Sequence, residues 1–84
     1  MYYSEETLDQ IFNKGTKIAG KNPNLYRRDP AGNEIYRHSY GKTSAMGWNV
    51  DHKHPLAKGG SDSKRNLQPM NSRENSRKGD KYPY

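Results

Sequence analysis

Apolar positions are sparse in this chain and come in short bursts. The first burst places Leu8, Ile11 and Phe12 at i, i+3 and i+4, the spacing of one helix face. Ser4 stands ahead of it as an N-cap, and Glu5 and Glu6 fall in the first turn, where the helix dipole favours acids. A short amphipathic helix is expected, stopped near Gly15. From Thr16 to Asn24 no period survives, because Gly20 and Pro23 interrupt it; an irregular crossing anchored by Ile18 is expected. Leu25-Tyr26-Arg27-Arg28 and Glu34-Ile35-Tyr36-Arg37 then flank Asp29-Pro30-Ala31-Gly32-Asn33, a run of turn formers, and together predict a hairpin.

The second half opens with a polar loop, Gly41 to Gly47. Trp48 to His54 alternates as a strand, with Trp48, Val50, His52 and His54 on one side and Asn49, Asp51 and Lys53 on the other. Pro55 cannot donate to a ladder and ends it, and Lys58-Gly59-Gly60-Ser61-Asp62-Ser63 is a flexible loop. Lys64 to Met70 returns as a second extended segment. Asn71 or Ser72 caps a final helix that runs to about Lys78 and closes at Gly79 in the left-handed conformation. On that helix Ser72, Asn75, Lys78 and Gly79 share a face, Arg73 and Arg77 form a basic stripe beside it, and Glu74 and Lys78 stand at i, i+4. No segment repeats.

Composition sharpens this outline. Eighty-four residues make a single domain, 1–84, and a hydrophobic content of 29% with a mean hydropathy of -1.41 leaves little to bury. Seven Tyr and one Trp offset that scarcity, so a thin, aromatic-rich core is expected, drawing on Tyr26, Tyr36, Tyr40, Trp48, Leu56 and Leu67. Cysteine is absent, which removes both a disulfide framework and cysteine-held zinc. The net charge of +6 and a pI of about 9.7 suit a polyanionic partner, although a basic surface serves solubility equally well. The opening Met1 to Glu6 has neither a basic leader nor an apolar run, so no membrane association and a cytoplasmic location are the expectation.

The chemistry gathers in Trp48-Asn49-Val50-Asp51-His52-Lys53-His54-Pro55-Leu56. A carboxylate beside an imidazole can hold a divalent cation with one group and deprotonate water with the other, given a second oxygen ligand from elsewhere. Asn75 is the candidate for that ligand. Strict alternation separates Asp51 from His52, and a twist or bulge near the site is the expected remedy. Taken alone, Asp51 is an ordinary ion-paired surface acid and His52 a packed or solvated histidine. Asn75 is mildly unfavourable inside a helix, which hints at a task beyond helix building. His54 and His38 read as surface histidines.

Arg28-Asp29 with Gly32 and Ile35, Tyr40-Gly41, Gly47-Trp48, Asp51-His52, Pro55, Gly59-Gly60, Asn66-Leu67-Gln68-Pro69 and Asn75 with Lys78-Gly79-Asp80 form one ordered series. Over roughly residues 16 to 80 the chain resembles an HNH endonuclease of the ββα-metal type, in a bacterial and phage-borne branch. The resemblance implies an α+β fold: a small ββα-metal domain, core motif about 48–80, with an N-terminal helix and an additional short hairpin. It implies that Asp51 and Asn75 bind one Mg²⁺ or Mn²⁺, that His52 is the general base, and that Asn66 braces the loop. Arg28, Lys53, Arg73, Arg77 and Lys78 are the candidate nucleic-acid contacts. Many members of that family carry structural zinc between two Cys pairs, one in the turn near Asp29 to Gly32 and one near Asn71 to Glu74; this chain has no such ligands.

The implied activity is metal-dependent hydrolysis of DNA phosphodiester bonds, as nicking or low-specificity cleavage. Two other readings stand beside it: a toxin-type or phage packaging-associated DNase controlled by an inhibitor or a larger complex, and a noncatalytic nucleic-acid-binding module on the same scaffold.

Overall fold

The computed structural model describes residues 2–79; Asp80, the last residue of the ordered series, lies outside them. Helix α1 spans Glu5–Phe12, with the Ser4 hydroxyl accepting from the Thr7 amide, as its capping chemistry requires. Strands β1 (Thr16–Lys17), β2 (Tyr26–Arg28) and β3 (Glu34–Tyr36) follow, then β4 (Trp48–His52), β5 (Leu67–Asn71) and helix α2 (Ser72–Lys78). The last three form the expected ββα unit.

The hairpin is wider than its sequence suggests. β1 joins it, pairing Thr16 with Arg28 and Lys17 with Arg27, so the supposed irregular crossing begins as a third antiparallel strand. Ile18 is only half-buried and stays outside the core. Between β4 and β5 the antiparallel register is unbroken from Trp48↔Asn71 to His52↔Leu67. No bulge interrupts it, contrary to expectation.

That register sorts the side chains onto two faces. Trp48, Val50 and His52 with Leu67 and Pro69 face the α1 side, where Leu8, Ile11, Phe12, Ile35, Trp48 and Leu67 form the buried cluster. Phe12 and Tyr40 set their rings 5.3 and 5.0 Å from Trp48. Each aliphatic side chain so buried contributes roughly 1.5–3 kcal/mol. The tyrosines line the margin instead of filling the centre: Tyr3 and Tyr40 pack against the cluster, and Tyr26 meets Tyr36 in a tilted ring contact. Leu56, expected in the core, is 48% exposed.

The opposite face, Asn49 and Asp51 with Gln68 and Met70, lies under α2. Asn71 caps that helix, its side-chain oxygen accepting from the amides of Arg73 and Glu74. Gly79 ends it with φ 56° and ψ -126°, a positive φ but not the left-handed helical well. The Glu74–Lys78 pair does not form. Glu74 turns to Arg77 at 3.3 Å, and Lys78 points inward.

Where the resemblance places two zinc-binding Cys pairs, this chain has a polar clasp. Asp29 is 3% exposed; its Oδ1 accepts from the amides of Ala31 and Asn33, and its Oδ2 from the Asn71 amide at 2.8 Å. Asn71 returns the tie, donating from Nδ2 to the Ala45 and Glu34 carbonyls. One carboxylate thus joins the hairpin turn to the head of α2. Asp29→Ala strands three backbone donors and is expected to lower stability by about 2–4 kcal/mol. Urea unfolding measures it, and an unshifted midpoint would remove the clasp from the account.

Candidate active site

Asp51, His52, Asn75, Lys78 and Gly79 line one cleft of about 220 Å³, walled on its other side by Pro55 and Leu56. Three of the four residues assigned metal or catalytic roles therefore converge. Asp51 and His52 reach it from opposite faces of β4 because the strand ends there, and the chain turns across its end at Pro55.

Asp51 is 5% exposed and both its oxygens are engaged. Oδ1 meets the Lys78 ammonium at 3.2 Å, and Oδ2 accepts from Gln68 Nε2 at 2.8 Å. Lys78 is 1% exposed, and its Nζ also donates to the His52 carbonyl at 3.2 Å. An ammonium therefore occupies the position beside Asp51 where cationic charge is best stabilised. Sequence placed Lys78 on the right helix face but aimed it at an external phosphate; in this geometry it can meet one only within the cleft.

His52 lies on the other face with its Nε2 at 2.8 Å from Asp62 Oδ1. Asp62 comes from the 58–63 loop, which composition marked only as flexible. Tyr3, in the segment before α1, donates its hydroxyl to the same oxygen at 3.4 Å. Burial, and then the Asp62 charge, raise the Tyr3 phenol above its usual range, so it remains a donor.

Asn66 spans the base of the loop with its side chain. Its Oδ1 accepts from the His54 amide, and its Nδ2 donates to the His54 and Ser61 carbonyls at 2.9 and 2.6 Å. One side chain thereby pins both roots of the 55–65 excursion. His54 takes no part in the cleft; its Nε2 donates to the Lys58 carbonyl and closes the turn beneath it. Gly60 completes the brace, since a Cβ there would stand 1.7 Å from the His54 carbonyl oxygen.

Of the proposed nucleic-acid contacts, Arg28, Lys53, Arg73 and Arg77 are exposed. Arg28 and Arg77 have acidic partners, Glu34 at 3.8 Å and Glu74 at 3.3 Å. Part of the positive charge is internal. Arg27 holds the carbonyls of Asn13, Gly15 and Pro23, and Arg37 pairs with Glu5 and Asp9 at the foot of α1.

No group of three or more His, Cys, Asp or Glu side chains able to hold a metal occurs among the described residues. The donor set is leaner: one carboxylate and one amide oxygen on a shared cleft. With Lys78 and Gln68 displaced from Asp51, such a pair could hold a hard cation that keeps most of its water and takes remaining oxygens from a phosphate.

The ββα unit thus carries an acid and a histidine at the end of its first strand, a bracing asparagine before its second and an amide on its helix. The family model described as HNH endonuclease matches residues 37–81, more than half of the chain, and the protein belongs to that family. No curated protein and no solved structure matches it.

Proposed function

We propose that the protein is a divalent-cation-dependent endonuclease that hydrolyses DNA phosphodiester bonds, one strand at each encounter. The observation that carries this reading is the convergence of Asp51, His52 and Asn75 on a single cleft. His52 accepts the proton of a water aligned with the scissile phosphorus, and the 3′ oxygen leaves opposite it. Asp51 and Asn75 would hold the cation, which supplies positive charge to the nonbridging and leaving oxygens. Lys78 adds a fixed positive charge at the same carboxylate, and Asn66 braces the loop that follows His52.

Backbone contact rather than base reading suits the exposed Lys53, Arg73 and Arg77, which can reach phosphates without entering a groove. Low sequence preference follows. The noncatalytic reading is disfavoured by the presence of Asp51, His52 and Asn75 together on that cleft.

The test is conversion of supercoiled plasmid to nicked and linear forms in Mg²⁺, Mn²⁺ or EDTA. Nicking that needs the cation is expected, with linear product lagging behind nicked circles. An inert protein under all three conditions, with DNA binding intact, would replace this reading by the binding module.

A further inference from the structure

A histidine that takes a proton from water needs one ring nitrogen bare, and nothing in the ring itself decides which. Against a carboxylate the choice is made, because an ionised carboxylate only accepts. Asp62 Oδ1 stands 2.8 Å from His52 Nε2, so in the neutral ring the hydrogen resides on Nε2 and the lone pair on Nδ1. Nδ1 has no hydrogen-bond partner among the described residues, and His52 lines the cleft.

The position of Asp62 is itself built. Asn66 grips the Ser61 carbonyl at 2.6 Å, one residue before Asp62, and Ser61 and Ser63 bridge beneath it through their hydroxyls at 3.1 Å. Gly60 donates to the Pro55 carbonyl at 2.9 Å, closing the other side of the loop. Tyr3 adds a contact from the far end of the chain. A surface ion pair has no need of such support; His52 is 18% and Asp62 45% exposed in their side chains.

We infer that Asp62 is a positioning residue for His52, fixing the imidazole as its Nε2–H tautomer so that Nδ1 faces the water. This rests on the reading of His52 as the base. The loop brace then has a purpose: Asn66 serves catalysis through Ser61, Asp62 and His52 in turn. As His52 takes up the proton, the carboxylate faces the new imidazolium and stabilises it, without itself becoming protonated.

The experiment compares the parent with Asp62→Ala, Asp62→Asn and His52→Ala. Single-turnover nicking rate, DNA affinity and the ring ¹⁵N–¹H correlations of His52 in its neutral form are read for each. Asp62→Ala is expected to slow nicking on the order of 10- to 100-fold at unchanged DNA affinity, and to turn a single Nε2–H signal into a tautomer mixture. Asp62→Asn, which keeps an acceptor oxygen but loses the charge, should fall between, and it covers the case in which the alanine variant folds poorly. Retention of the pure Nε2–H tautomer in both variants, or a rate within about twofold of the parent, would overturn the inference. A slower rate with the tautomer intact would reduce Asp62 to a loop tether. Failure of the underlying reading looks different: His52→Ala would nick as the parent does.

Discussion

His52→Ala is expected to lower the metal-supported nicking rate by roughly 10²–10⁴-fold, the span that a positioned general base contributes. The substitution leaves the architecture alone. The imidazole is not part of the buried cluster, its hydrogen-bond partner Asp62 is accessible to water, and the β4–β5 ladder runs through its backbone. DNA binding should persist, since the exposed Lys53, Arg73 and Arg77 are untouched. Gel shift in EDTA and plasmid nicking in Mn²⁺ separate the two quantities. A residual rate within tenfold of the parent would mean that another group takes the proton.

The second large effect concerns stability. Asp51 and Lys78 form an ion pair that is 5% and 1% exposed, and taking away one partner of such a pair leaves a charge in a poorly solvating place. Lys78→Met should therefore cost about 3–5 kcal/mol in metal-free urea unfolding. Gln68 still holds Asp51 Oδ2, which limits the loss. The same variant has a second signature. With the ammonium gone, a divalent cation has no competitor at Asp51, so Mn²⁺ should raise the melting temperature of Lys78→Met by more than it raises that of the parent. Saturation to 100-fold above Kd would return about 2.7 kcal/mol. An unchanged metal-free midpoint would show that the pair contributes nothing, and an equal Mn²⁺ shift in both proteins would remove Lys78 from competition with the cation.

Much of this arrangement was legible in the residues. Local signals found the elements: Ser4 before an i, i+3, i+4 burst located α1, turn formers at 29–33 located the hairpin, and Pro55 located the end of β4. The order of Asp51, His52, Asn66 and Asn75 located the cleft and the brace. What escaped depended on reach rather than pattern. Thr16-Lys17 is too short to show a period, and only the neighbouring Arg27-Arg28 backbone makes it a strand. Asp29 was readable as a turn former, but its second oxygen reaches residue 71, a pairing no local rule contains. A lysine on a polar helix face can extend outward or fold under, and Lys78 folds under because Asp51 is there to meet it. Asp62 sat in a Gly- and Ser-rich loop, where an acid ordinarily means only solubility. A signal was present: an acid between the clamped Ser61 and the strand returning to pair with His52.

The Asp29 clasp has a practical corollary for anyone handling this protein. In a domain stapled by zinc, a chelator removes the scaffold and the catalyst together, and a lost activity cannot say which went first. Here the hairpin is fastened to α2 by hydrogen bonds from the Asp29 carboxylate and the Asn33 and Asn71 side chains. Neither chelation nor a change of redox conditions can loosen that fastening, so an EDTA titration reports on the cleft while the architecture around it stays standing.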